Sequence, residues 1–86
     1  MITKKVKIDN KTGLHARPAS ILVDMSSKFD ADLKLLYKNR EANLKSIISL
    51  MALAIGPGEK VIIQAEGVDA EDAIEEIISV INNDFK

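Results

Sequence analysis

Hydrophobic and polar residues alternate in several short segments of the chain. In the first of them Ile2, Val6 and Ile8 lie at one parity, while threonine and lysine occupy the other. A period of two predicts a β-strand with one face in water. Asn39 tolerates a left-handed backbone and favours a hairpin between the second and third segments. Four strands are predicted: Ile2–Ile8, Asp32–Leu36, Asn39–Leu44 and Lys60–Glu66.

Three other segments repeat their apolar residues with the period of an amphipathic helix. The first extends from Ala16 to about Lys28. The second, Ile47–Leu53, is short and almost wholly apolar, and Ser46 is its predicted N-cap. The third begins after Asp69, its predicted N-cap, and carries a broad stripe of isoleucine and alanine. The chain therefore contains three predicted helices.

The predicted order is strand, helix, strand, strand, helix, strand, helix. A single four-stranded sheet covered by helices on one face fits this order and gives an α+β fold. A ferredoxin-like domain with one appended helix is the alternative. The 86 residues allow one small domain, residues 1–86, and leave no room for a second.

Composition excludes several classes of function. The chain has no cysteine and a single histidine, so neither disulfides nor a metal site is expected. The net charge is −1 and no basic tract is present, which argues against direct binding of nucleic acid. The N-terminus lacks the apolar stretch of a signal peptide, and the longest apolar run, Leu50–Ile55, is too short to span a bilayer. We therefore expect a cytoplasmic protein without membrane insertion.

The single histidine, His15, lies directly before the first predicted helix, between Gly13 and Arg17. The N–H groups and the positive dipole end of a helix favour an anion at this place. The arginine adds a planar set of donors that suits phosphate oxygens. Imidazole is a nucleophile, and a nucleophile beside an anion site can accept and pass on a phosphoryl group. An ordinary surface histidine remains the alternative on these residues alone.

The stretch Gly-Leu-His-Ala-Arg-Pro-Ala at residues 13–19 closely resembles the active-site signature of the HPr family. These proteins are the phosphocarriers of the bacterial phosphoenolpyruvate-dependent sugar phosphotransferase system. A second matching stretch, Asn43–Ile47, lies at the family's spacing, and the resemblance covers the whole chain. It implies an open-faced sandwich, with a four-stranded antiparallel sheet and three helices on one face. It also implies that His15 accepts a phosphoryl group on Nδ1 from Enzyme I and passes it to sugar-specific IIA domains, while Arg17 stabilises the phosphate.

The same resemblance gives Ser46 a second expected role beside that of an N-cap. Lys45-Ser46-Ile47 matches the regulatory phosphorylation site of HPr from Gram-positive bacteria with few G·C pairs, which a dedicated HPr kinase/phosphorylase serves. The two roles are compatible, because a phosphate is favourable at a helix N-terminus. After Ser46, the apolar residues Ile47, Ile48 and Met51 could belong either to the core or to a partner-binding surface. In the family the partner-binding face consists of Arg17 with Ser20, Asp24, Ser27, Ile47, Ile48 and Met51.

The resemblance implies a carrier with no turnover of its own, with no cofactor, acting as a monomer. A regulator acting mainly through phospho-Ser46, as co-effector of a catabolite-control repressor, is the alternative within the family. Paralogues specialised for that role lack the histidine, so His15 favours the carrier. A ferredoxin-like ligand-binding regulatory domain is the alternative from another class. One departure concerns Ala54, which would be strained by roughly 1 kcal/mol if its backbone is left-handed.

Overall fold

The computed structural model describes residues 1–85, and its strands and helices follow the predicted order. The observed strands differ from the predicted ones by no more than one residue at either end. The period of two is therefore a reliable guide to this sheet. The elements are β1 (Ile2–Ile8), α1 (Ala16–Ser26), β2 (Asp32–Tyr37), β3 (Arg40–Asn43), α2 (Ile47–Met51), β4 (Glu59–Glu66) and α3 (Ala70–Asn82).

The four strands form one sheet in the order β1-β4-β2-β3, and every neighbouring pair is antiparallel. The last strand of the sequence thus lies between the first and the second. Leu35 of β2 is paired with Ile63 of β4, and both side chains are fully buried. Lys38 and Asn39 join β2 to β3 with φ angles of 46° and 61°. Two successive positive φ angles are the geometry of a type I′ hairpin turn, so the predicted hairpin is confirmed.

The three helices cover one face of the sheet, and the opposite face is open to solvent. Buried and accessible residues alternate along β2 and β4, as expected for strands with one wet face. This arrangement is the expected α+β open-faced sandwich. Burying one large aliphatic side chain contributes about 1.5–3 kcal/mol, so the shared core dominates the stability. The largest fully buried apolar side chains are Ile8, Leu22, Leu33, Leu35, Leu44, Leu50, Val61, Ile63, Ile77 and Ile81.

The helices are short, and two of them end earlier than predicted. α1 ends at Ser26 rather than near Lys28, and α2 ends at Met51 rather than at Leu53. In both cases the second and third N–H groups after the helix donate to the third residue back, as from Leu53 to the carbonyl of Leu50 at 3.1 Å. Such bonds tighten the last turn into 3₁₀ geometry, which apolar periodicity does not distinguish from α-helix. No helix within residues 1–85 is long and apolar enough to cross a membrane.

Asp69 occupies the predicted N-cap position of α3, but its side chain does not cap the helix. Its carboxylate accepts hydrogen bonds from the backbone N–H groups of Asp30 at 2.9 Å and Ala31 at 2.8 Å. The bond from Asp30 is the main reason that the pKa of Asp69 lies below its ordinary value. Asp69 is therefore the N-cap residue, as predicted, but two donors from a distant loop occupy its carboxylate in place of the helix N–H groups. The carboxylate joins the start of α3 to the loop before β2.

We predict that Asp69→Asn lowers the free energy of unfolding at neutral pH, because an amide cannot accept both hydrogen bonds and keep its donors away from them. The pKa of the folded carboxyl is lowered from 3.8. Its stabilising effect is therefore complete above about pH 4 and is lost as the pH falls through the folded pKa. Urea unfolding from about pH 7 to about pH 2 should show the difference between the two proteins shrinking. Glu71→Gln, in the first turn of the same helix, is the control. A difference that does not change with pH would contradict the assignment.

Candidate functional site

The loop between β1 and α1 is fixed by a close approach to the segment between α2 and β4. Gly13 has φ +70°, and a Cβ at this residue would lie 2.5 Å from the carbonyl oxygen of Ile55. The N–H of Leu14 donates to the same carbonyl at 2.9 Å, and the leucine side chain is buried. Asn10 Nδ2 donates to the carbonyl of Gly13 at 3.0 Å. These contacts fix the backbone immediately before His15, and only glycine fits at position 13.

His15 lies at the N-cap position of α1 with an extended backbone, and its exposed side chain does not cap the helix. Its carbonyl accepts a hydrogen bond from the N–H of Ala19 at 3.0 Å, so the helix begins regularly despite Pro18. Within residues 1–85 the N–H groups of Ala16 and Arg17 donate no hydrogen bond, and the first turn contains no acidic residue. The opening of the helix can therefore accept an anion from solvent.

Arg17 lies in the first turn of α1 and lines the same open surface cavity as His15, with a volume of about 620 Å³. Its side chain is exposed, and no ion pair between described residues includes it. The guanidinium can therefore turn toward phosphate oxygens without breaking another contact. The structure thus brings the two predicted residues together. Among residues 1–85, the other charged side chains along the cavity are those of Asp9, Lys11 and Asp84.

The turn after α3 forms part of the cavity wall, which the sequence analysis did not predict. Asp84 and Phe85 have φ angles of 57° and 62°. The N–H of Phe85 donates to the carbonyl of Val80 at 2.8 Å, and that of Asp84 donates to Ile81 at 3.2 Å. This pattern is the Schellman motif, with aspartate at the left-handed position that glycine usually occupies. Phe85 is only 4% exposed. In the sequence, this turn is indicated only by one apolar residue that follows three polar ones.

The residues expected to bind partners lie on α1 and α2, which pack against each other. Leu50 and Leu53 are three residues apart and both are buried, so their spacing correctly indicates the side of this segment that faces the core. The interpretation of the remaining apolar residues as core is wrong, because this short helix cannot bury every side. The accessible apolar residues are Ile47 at 36%, Ile48 at 80% and Met51 at 43% exposure. On α1, Ser20 is half-buried and Asp24 is exposed, and Ser27, the C-cap residue directly after this helix, is also exposed.

Ser46 is the N-cap of α2, as predicted. Its Oγ accepts a hydrogen bond from the N–H of Ser49 at 3.2 Å, and the residue is half-buried. The preceding residue holds this segment in place, because Lys45 Nζ donates to the carbonyl of Phe29 at 2.7 Å. The hydroxyl therefore stabilises the start of the helix and lies directly before the exposed Ile47 and Ile48.

Residues 2–83 match the protein family described as "PTS HPr component phosphorylation site", in which PTS denotes the phosphotransferase system. The chain belongs to the HPr family. The match includes all seven elements of the fold and the loop that carries His15.

Solved structures of HPr proteins superpose closely on this chain. An HPr crystal structure from Thermoanaerobacter tengcongensis has a TM-score of 0.96 and 40% identity, covering 99% of this chain and 96% of that chain. The histidine-containing phosphocarrier protein of Mycoplasma has a TM-score of 0.91 and 40% identity, covering 98% and 97%. Crh, the Bacillus subtilis catabolite repression HPr, has a TM-score of 0.79 and 35% identity, covering 100% and 99%. These superpositions decide for the HPr fold against the ferredoxin-like alternative.

One departure from the HPr pattern strains the backbone after α2. Ala54 has φ 52°, which is the left-handed conformation that costs an alanine roughly 1 kcal/mol. Its N–H donates to the carbonyl of Met51 at 3.1 Å, and the next residue is Ile55, whose carbonyl supports the His15 loop. The strain is therefore located in the segment that holds this loop.

We predict that Gly13→Ala lowers the free energy of unfolding by more than about 1 kcal/mol, because it combines backbone strain with a clash at Ile55. Two other glycines separate these effects. Gly58 has φ +85° but open space around its Cβ position, and Gly56 has open space and no positive φ. Urea unfolding should rank the alanine variants in the order Gly13, Gly58, Gly56, from most to least destabilised. Equal losses at Gly13 and Gly58 would show that the approach to Ile55 contributes nothing.

Proposed function

We propose that this HPr-family chain carries phosphoryl groups in the sugar phosphotransferase system, accepting them on His15 from Enzyme I and passing them to sugar-specific IIA domains. The observation that carries this proposal is the exposed imidazole of His15 at an opening where the N–H groups of Ala16 and Arg17 donate to no described residue. Family membership supplies the class of reaction, and the local geometry suits it.

The transfer requires positioning and stabilisation of negative charge from the protein, and little other chemistry. Nδ1 of neutral His15 attacks the phosphorus, the bond to the donor atom breaks, and the donor leaves with its electron pair. The N–H groups of the first turn and the guanidinium of Arg17 balance the charge on the phosphate oxygens. In the second transfer the acceptor attacks the phosphorus and the imidazole leaves. The chain ends as it began, and in this proposal it is a substrate of both transfers, a carrier with no turnover of its own.

The accessible surface on α1 and α2 suits transient contacts with more than one partner. Three exposed apolar side chains beside polar ones can bury area on docking without making a permanent interface. Met51 adds a flexible side chain that adapts to different surfaces. The proposed partner-binding residues are Arg17, Ser20, Asp24, Ser27, Ile47, Ile48 and Met51.

We predict that Enzyme I with labelled phosphoenolpyruvate phosphorylates the wild-type chain and that His15→Ala takes up no label. The label should be acid-labile, as expected for a P–N bond, and peptide mass spectrometry should place it on His15. Because the imidazole is exposed and caps nothing, the variant should unfold at the same urea concentration as the wild type. Failure to label the wild type, or undiminished labelling of the variant, would refute the carrier proposal.

Ser46 is the proposed site of a second, regulatory phosphorylation by an ATP-dependent HPr kinase/phosphorylase. In this proposal the product binds a catabolite-control repressor. Ser46 is half-buried at the N-cap of α2, directly before the exposed Ile47 and Ile48. A phosphate there can still accept the hydrogen bond from the N–H of Ser49, and it places charge beside the apolar surface. The likeness to Crh supports this second role.

We predict that Ser46→Asp slows phosphorylation of His15 by Enzyme I at low carrier concentration by roughly tenfold, because docking would bury an added charge beside Ile47 and Ile48. Ser46→Asn is the matched control, since asparagine also caps helices and carries no charge. Initial rates over a range of carrier concentrations should show a higher KM for the aspartate variant and a nearly normal one for the asparagine variant. Equal rates for both would exclude a charge effect at this site.

A further inference from the structure

Two carboxylates lie along the cavity that contains His15, and their surroundings differ. Asp9 is 3.7 Å from Lys7 Nζ, so its charge is partly balanced. Asp84 takes part in none of the ion pairs between residues 1–85. The lysine and arginine residues of the described chain along the cavity are Lys11 and Arg17. Asp84 is thus the acidic group of this cavity whose charge no described cation balances at close range.

The backbone holds Asp84 at the cavity wall. It occupies the left-handed position of the Schellman turn after α3, with φ 57°. The next residue, Phe85, is 4% exposed and closes the turn by its hydrogen bond to Val80 at 2.8 Å. The acidic side chain therefore does not lie on a frayed helix end, since a buried aromatic ring anchors the residue after it.

We propose that Asp84 sets the phosphoryl-transfer potential of the site: its negative charge opposes a phosphate on His15 and so weakens the hold of the helix opening and Arg17. This proposal rests on the proposed carrier function. A carrier must release its phosphoryl group as readily as it accepts it, so binding the phosphorylated state too tightly would stop onward transfer. A carboxylate at the rim of the cavity offsets part of the attraction without blocking the opening.

The expected change in the phosphorylated fraction follows from the charges of the carboxylate and the phosphate. Across an open cavity, a single charge that lies within about one Debye length of a dianion changes an equilibrium by about twofold to fourfold at low salt. Asparagine is the suitable replacement, because it has the shape of aspartate and also adopts left-handed backbone conformations. Asp84→Asn therefore removes the charge and keeps the turn.

The test is a competition for one phosphoryl group. Phosphorylated wild-type chain, labelled with a heavy nitrogen isotope, is mixed with an equal amount of Asp84→Asn and a trace of Enzyme I, which equilibrates the phosphoryl group between them. Mass spectrometry of the intact chains then measures the phosphorylated fraction of each. We expect the variant to hold about twofold to fourfold more phosphoryl group at low salt, and the ratio to approach one near 1 M salt.

Glu75→Gln is the matched control, because it removes the same charge from α3, the helix before Asp84, at a place beside Lys4 and Lys5 and away from this cavity. Its ratio should be one at every salt concentration. A ratio of one for Asp84→Asn at low salt, or a larger ratio that salt does not change, would overturn the electrostatic role of Asp84. These outcomes leave the carrier function intact, whereas a wild-type chain that Enzyme I cannot label at His15 overturns both proposals.

Discussion

The approach of the Gly13 backbone to the carbonyl of Ile55 is the contact on which the candidate site depends. Glycine allows the approach, and the N–H of Leu14 donates a hydrogen bond to the same carbonyl. The Ile55 carbonyl therefore fixes two successive residues of the loop. His15 is the next residue, so its backbone position is fixed as well, while its side chain remains exposed. A rigid support below an accessible imidazole is what a group needs if different partners must reach the same nitrogen.

The charges around His15 suit the proposed role, in which the site must both accept a phosphate and release it. Helix N–H groups and an arginine attract an anion, yet all of them face an open cavity in contact with water. Water weakens each of these attractions, because exposed charges interact through a high dielectric. A buried site with the same groups would bind phosphate more tightly and transfer it less readily. The openness of the cavity therefore agrees with the function that we propose.

The sequence predicted the order of elements, every strand to within one residue, and the pairing of His15 with Arg17 at a helix start. These features depend on local period and local chemistry, which a single sequence contains. Asp69 shows the limit, because its carboxylate binds N–H groups nearly forty residues away and no local pattern reveals them. The cavity wall at Asp84 shows it again, since the turn after α3 and the β1–α1 loop are far apart in the sequence and line one cavity only in the folded chain. Local rules failed where distant segments meet.

The short segment between β3 and β4 connects the two candidate phosphorylation sites. It begins with Ser46 at the N-cap of α2, continues through the exposed apolar surface, and ends at the strained Ala54 and at Ile55. The carbonyl of Ile55 in turn holds the loop before His15. The proposed docking surface on α2 and the carbonyl that supports the loop before His15 therefore lie in one continuous segment, four residues apart. The left-handed Ala54 lies directly before Ile55 in this segment, and strain of roughly 1 kcal/mol persists only where surrounding contacts determine the backbone.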